Sequence, residues 1–187
     1  VIEFLNAKYS LNIPQSLLDK SSFTDNSWFT GFTEADGHFG IKYRERLEKS
    51  DTRKRSRSES ISLLFRLDQR AYDEPSSTCM KPFMNDLASF LSCNVNSYTN
   101  AQNKEVLSLH VSSIDNLKLI VDYFNKNPLM GNKLNDFKKW EIVYNMIKSK
   151  EHLTTEGRLK VINLINDKKK ISAFIKFDKL LENPIYL

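Results

Sequence analysis

The chain has 187 residues, 40% of them hydrophobic and 11% aromatic, with twelve Phe. That is enough apolar material for one large or two small folded domains, and it excludes disorder over most of the length. Two cysteines, Cys79 and Cys93, are too few for a disulfide scaffold or a structural zinc site, and fit a reducing compartment. No apolar run reaches the length of a membrane span and no signal-peptide pattern opens the chain, so no membrane partner is expected. The formal net charge is +5, and all of it sits between Lys42 and Arg57, where eight basic residues face three acidic ones. Such a run is either a solvated loop or an arm that contacts phosphates.

Residues 1–26 carry no sustained period and read as a linker or N-terminal extension. The chain opens on Val1, so a processed, truncated or partial product is expected. Trp28 to Asp36 is a short helix, which Asp25, Asn26 or Ser27 could cap and Gly37 would end. From His38 the period becomes two, with Phe39, Ile41 and Tyr43 on one side and Lys42, Arg44 and Arg46 on the other. After a charged connection a second strand follows. It directs Ile61, Leu63, Phe65 and Leu67 inward and Ser60, Ser62, Leu64, Arg66, Asp68 and Arg70 outward. Residues 71–80 read as a loop, and Lys81 to Leu91 as an amphipathic helix.

A second strand pair spans Asn94 to Asn100 and Glu105 to Val111. Its outer face holds Asn94, Asn96, Tyr98, Asn100, Ser108 and His110. Ser113 caps a helix that Pro128 ends, and Asn132 to Lys150 is a long helix carrying Phe137 and Trp140. Thr154 starts another, closed by Lys168 to Lys170. The order predicts an α+β domain over residues 27–170, with residues 171–187 a C-terminal extension. In that domain an αββαββα chain forms a four-stranded antiparallel sheet, helices on one face and a basic groove on the other. A wet, basic sheet face can read a nucleic-acid groove.

Residues Trp28-Phe29-Thr30-Gly31-Phe32-Thr33-Glu34-Ala35-Asp36-Gly37 carry the chemistry. They resemble the LAGLIDADG motif of homing endonucleases and the related intron maturases, and the resemblance covers roughly residues 24 to 170. Gly31, Phe32, Glu34, Ala35, Asp36 and Gly37 match in order, while Thr33 replaces an aliphatic residue. Small residues four apart, Gly31 and Ala35, let two helix backbones approach closely. The resemblance implies that two such helices pack together and that each delivers one acid. Asp36 is then the catalytic acid and, with the main-chain carbonyl of Ala35, a ligand for Mg²⁺. Two metal-holding carboxylates side by side suit phosphodiester hydrolysis. Glu34 falls at the motif's first acidic position, usually structural in the family. The resemblance also marks Lys133 as an active-site lysine, from Leu129-Met130-Gly131-Asn132-Lys133-Leu134-Asn135-Asp136-Phe137, and Gln69 as a water-organising side chain. In that frame Lys42, Arg44, Arg46, Arg53, Lys54, Arg55, Arg57, Ser62, Arg66, Asp68, Arg70, Asn94, Asn96, Tyr98, Asn100 and His110 are the nucleic-acid-facing residues.

The motif occurs once, and neither Gly131 nor Gly157 is followed by the required acids. A second LAGLIDADG domain is therefore expected, as a homodimer partner or as the other half of a longer chain. Two functions share this surface. One is Mg²⁺-dependent, site-specific cleavage of double-stranded DNA; the other is binding of a structured RNA by a maturase or ribonucleoprotein component. Abundant Asn, and Lys outnumbering Arg by twenty to eight, suit an AT-rich organellar gene and a mitochondrial, intron-encoded product.

Overall fold

The computed structural model describes residues 2–14, 21–49, 52, 55–75 and 77–167. The expected αββαββα order is present. Helix α2 (Trp28–Asp36) leads into strand β1 (Gly37–Arg44), which pairs with β2 (Ser60–Arg70). Helix α3 (Lys81–Phe90) follows, then β5 (Val95–Thr99), β6 (Glu105–Val111) and α4 (Ile114–Lys126). Helix α5 (Asn132–Lys148) comes next, and residues 155–167 form a further helical stretch, α6. The sheet order is β1-β2-β6-β5, antiparallel throughout.

The period-two alternation becomes burial directly. Phe39, Leu63, Phe65, Leu67, Leu107, Leu109 and Val111 are buried under the helices. The same strands leave Lys42, Arg44, Ser62, Arg70 and His110 exposed on the opposite face. The core is aromatic. Phe29 packs against Phe65, Phe90, Tyr123 and Phe124 with ring centroids 5.2–6.0 Å apart. Phe39 meets Phe65, Phe124, Phe137 and Trp140 at 5.3–5.7 Å. Truncating one such ring to Ala costs about 3–5 kcal/mol. Helix α2 is thus anchored through Phe29 to both the sheet and α4.

Polar contacts fix the entry to α2. Asn26 Oδ1 accepts the Trp28 amide at 2.9 Å, so Asn26 supplies the capping oxygen while Ser27 occupies the cap position. Tyr123 donates to the Asn26 carbonyl at 2.9 Å, and Thr30 Oγ1 donates to the Asn127 carbonyl at 2.8 Å. Thr154 begins α6 as expected, its hydroxyl accepting the Gly157 amide at 3.0 Å. A clasp ties α6 to the base of the β1–β2 hairpin. Glu59 accepts the Tyr43 hydroxyl at 2.6 Å and Arg158 Nη1 at 2.5 Å. The Tyr43 hydrogen bond, then that of Arg158, hold the Glu59 carboxyl below its ordinary range.

Residues Ile2–Tyr9 form a helix, α1, inside the stretch read as a linker or N-terminal extension; it buries none of its side chains, so no apolar stripe announced it. The loop expected over residues 71–80 is corrected. Residues 71–80 hold a small hairpin, β3 (Tyr72–Asp73) with β4 (Thr78–Cys79), whose two-residue strands are too short to show a period. Among the described residues no helix is long and apolar enough to cross a membrane.

Thr33, the motif's departure, is fully buried, and its hydroxyl has no hydrogen-bond partner among the described residues. A buried unsatisfied hydroxyl costs about 1–3 kcal/mol. Thr33→Val keeps the shape and removes the orphan group. The expected gain is about 1 kcal/mol, read as a rise of about 2–4 °C in Tm.

Candidate active site and nucleic-acid interface

The last turn of α2 and the first turn of α5 meet at the end of β1. Asp36 closes α2 and is exposed, and its carboxylate takes no hydrogen bond or ion pair from any described residue. Gly37 enters the sheet opposite Leu67. Its φ of −70° suits any residue; space is what demands glycine. A Cβ there would lie 2.4 Å from Thr33 Cγ2 and 2.8 Å from the Thr33 carbonyl oxygen.

Lys133, half-buried in the first turn of α5, donates its ammonium to the Gly37 carbonyl. The lysine therefore reaches the residue that follows the acid, 96 positions before it in sequence. The motif's other acid explains how. Glu34 Oε1 accepts the amides of Met130 at 2.8 Å and Gly131 at 2.9 Å, the two residues that precede α5. A carboxylate holding two amides is a strong, directional clamp. Glu34 thus sets where α5 begins and, with it, where Lys133 points. Gly131 is bare for the same reason: a Cβ would fall 2.8 Å from Glu34 Oε2.

The outer face of α2 is open. Trp28, Gly31 and Ala35 recur at helical spacing and all are exposed, Trp28 by 44%. A Cβ built on Gly31 would meet nothing within 4 Å. Trp28 stacks on Phe32 at 5.0 Å, and both rings touch Phe83, at 5.4 and 5.6 Å. Gly31 and Ala35 leave this stretch of the helix surface without bulky side chains.

On the groove face the register aligns Lys42 with Ser62 and Arg44 with Ser60. It aligns His38, Arg66 and His110 in one row, and Asp68, Ser108 and Asn96 in the next. Arg70 lies opposite Val106, which lies opposite Tyr98. Asn94 immediately precedes β5 and is exposed. The hairpin continues past β1 through a bridge between Leu47 and Arg57. Arg46 pairs with Glu48 at 2.6 Å, and Arg57 donates to the Glu45 carbonyl at 3.3 and 3.4 Å. Arg55 is exposed at the hairpin's far end, while Arg53 and Lys54 lie outside the described residues. Asn100 does different work from the residues on the strands. It closes the β5–β6 turn, where its Oδ1 accepts the amides of Gln102 and Lys104 at 3.0 Å each. Gln69 has the parity of Phe65 and Leu67, on the helix-covered side of β2, and its Oε1 accepts the Arg70 amide at 3.1 Å.

Ser108 is 2% exposed although it points to the groove, because it donates to Asp68. Asp68 also takes two hydrogen bonds from Arg66 and one from Tyr98. Burial opposes its charge, but these donors and the Arg66 cation outweigh burial and hold the carboxyl below its ordinary range. Alternation identified each of these outward residues; their mutual pairing depends on register across three strands, which alternation does not carry. The roles of Glu34 and Glu59 likewise depend on contacts about a hundred residues away in sequence, with no local signal.

The four-stranded antiparallel sheet with a motif helix packed against it defines the class of fold, and comparison with known proteins gives the family. The LAGLIDADG endonuclease family model matches residues 29–144, more than half of the sequence. The chain belongs to the LAGLIDADG endonuclease family. Among curated proteins it is similar to Probable intron-encoded endonuclease 4 of Neurospora crassa, 28% identical over 162 residues. That match covers 87% of this chain and 26% of the relative. Probable intron-encoded endonuclease 3 of the same fungus is 26% identical over 136 residues, 72% of this chain and 22% of that protein. The chain thus spans about a quarter of the length of these relatives. Its fold resembles the I-LtrWI LAGLIDADG homing endonuclease bound to target DNA, with a TM-score of 0.59 at 24% identity over 88% of this chain and 51% of that one. It also resembles the homing endonuclease I-TnaI, with a TM-score of 0.55 at 26% identity over 73% of this chain and 82% of that one.

Proposed function

We propose that the chain is one catalytic half of a site-specific DNA endonuclease, acting with a second LAGLIDADG unit. The observation that carries this reading is the conjunction at the end of α2. An exposed Asp36 carboxylate, with no partner among the described residues, immediately precedes β1, and the Lys133 ammonium rests on the next residue's carbonyl. The donor set fits Mg²⁺: an exposed carboxylate and the carbonyl of Ala35 at a helix C-terminus are hard oxygen ligands in a negative field. Among the described residues no group of three or more His, Cys, Asp or Glu is gathered as a metal site. Bound there, Mg²⁺ supplies an activated water and charge stabilisation at the leaving oxygen.

The chain's own residues do the rest. Lys133 offers positive charge beside the scissile phosphate, and Glu34 holds it in register with Asp36. Lys42, Arg44, Arg55 and Arg70 neutralise backbone phosphates along the groove, and Arg66 and its neighbours read bases. The open Gly31–Ala35 face of α2 accepts the second unit's helix. Gln69 keeps a smaller part, at the strand end. Intron-encoded relatives and the Asn- and Lys-rich composition support a mitochondrial setting.

The test is incubation of the full polypeptide, alone and joined to a second LAGLIDADG unit, with duplex spanning the intron-free insertion junction of its own gene. Mg²⁺-dependent cleavage of both strands is expected. Tight retention of the intron RNA with no nicking of the duplex would overturn the proposal in favour of an RNA-binding role.

A further inference from the structure

The inference here deepens the nuclease reading and rests on it. In the middle of the groove face, Arg66 Nε donates to Asp68 Oδ1 at 2.9 Å and Nη2 donates to Asp68 Oδ2. The guanidinium carbon lies 5.8 Å from the centre of the Tyr98 ring, and Nη2 reaches the Tyr98 hydroxyl at 3.3 Å. Nη1 takes no partner among the described residues. One edge of the guanidinium fork is therefore fixed by protein, and its end points outward, with the side chain 37% exposed.

Asp68 is saturated. Oδ1 receives Arg66 Nε and Ser108 Oγ; Oδ2 receives Arg66 Nη2 and the Tyr98 hydroxyl. A carboxylate has about four acceptor positions, and all are taken. It cannot accept a cytosine amino group without releasing one of these donors. Asp68 is thus a positioning residue rather than a contact with the nucleic acid.

We infer that Arg66, braced by Asp68, reads a guanine in the major groove of the target duplex, in the row next to Asp36. A guanidinium held in one plane by Asp68, with Nη1 free among the described residues and Nη2 holding beyond Asp68 only the Tyr98 hydroxyl at 3.3 Å, presents two parallel donors at its Nη1–Nη2 end once a base displaces that long contact, and the pair matches guanine O6 and N7. Bracing matters because an arginine otherwise surrenders considerable rotamer entropy when it binds. The wide major groove of B-form DNA admits a sheet-borne fork; the narrow one of A-form RNA does not.

The experiment is selection of the full polypeptide against a randomised duplex library. One position enriched for guanine is expected. Arg66→Lys, which keeps the charge and loses the fork, flattens that preference by roughly tenfold while phosphate-driven affinity for the pool persists. Asp68→Asn flattens it comparably, though the arginine itself is untouched. Ser108→Ala removes one donor to Asp68 and gives an intermediate loss, which serves if Asp68→Asn does not fold. An unchanged guanine preference in Arg66→Lys overturns the base assignment. An unchanged preference in both Asp68→Asn and Ser108→Ala overturns the brace. A wild-type protein that enriches no duplex sequence but retains structured RNA removes the underlying nuclease reading, and the inference with it.

Discussion

Asp36→Asn is expected to abolish cleavage while leaving the fold and duplex affinity intact. The carboxylate is exposed and pairs with nothing described, so its removal costs no packing and no internal hydrogen bond. Asn keeps the shape but not the charge that a hard divalent cation requires. The loss is several kcal/mol of metal-derived stabilisation, a fall of at least ~1,000-fold in the single-turnover rate. Tm within a degree of wild type and unchanged retention of duplex in a gel-shift assay would locate the defect in chemistry. A variant that still cuts at more than a tenth of the wild-type rate would remove Asp36 from the reaction.

Gly37→Ala is expected to damage stability and activity together. The added methyl would overlap the Thr33 side chain at 2.4 Å and the Thr33 backbone carbonyl at 2.8 Å. Thr33 is fully buried, so it has no room to withdraw. Relief must come from unwinding the last turn of α2, at about 1–3 kcal/mol. That movement displaces Asp36 and the carbonyl that holds Lys133. A displacement of about 1 Å at a reacting centre can cost about a hundredfold in rate. Thermal melting and single-turnover cleavage, measured on the same preparation, check both halves. Adding Thr33→Ala removes the methyl overlap but not the backbone one, so the double variant recovers only part of the loss. Full recovery would show that the constraint lies in the threonine methyl rather than the helix backbone.

The fold was legible in the sequence wherever one residue's position determined its neighbour's environment. Alternation in residues 38–44 and 60–70 marked both strands and both faces, because a half-buried sheet forces period two. The motif helix and its end at Gly37 could be read from local patterns, whereas Lys133 was marked only by the family resemblance. Helix α1 could not, because it buries nothing and so needs no stripe. Site chemistry was less legible than site location. Glu34 is marked by the resemblance only as a usually structural acid, and the loop it clamps lies 96 and 97 residues away. Asn100 shared the alternation of the groove residues, yet its side-chain oxygen closes a turn. Asp68 had the parity of the outward face, but the hydrogen bonds it takes from Ser108 and Tyr98, on β6 and β5, do not follow from parity. Pairings between strands distant in sequence are set by register and side-chain reach, which no window of residues contains.

The Tyr43–Glu59–Arg158 clasp has a dynamic consequence. It joins the base of the basic hairpin to a helix 99 positions away in sequence, at the far end of the described chain. Stiffening one partner of such a pair slows the opening of the other. Occupancy of the hairpin by nucleic acid should therefore register as slower amide hydrogen–deuterium exchange along residues 155–167, a helix that need never touch the ligand. Glu59→Gln would uncouple the two signals and leave exchange in the helix blind to what the hairpin holds.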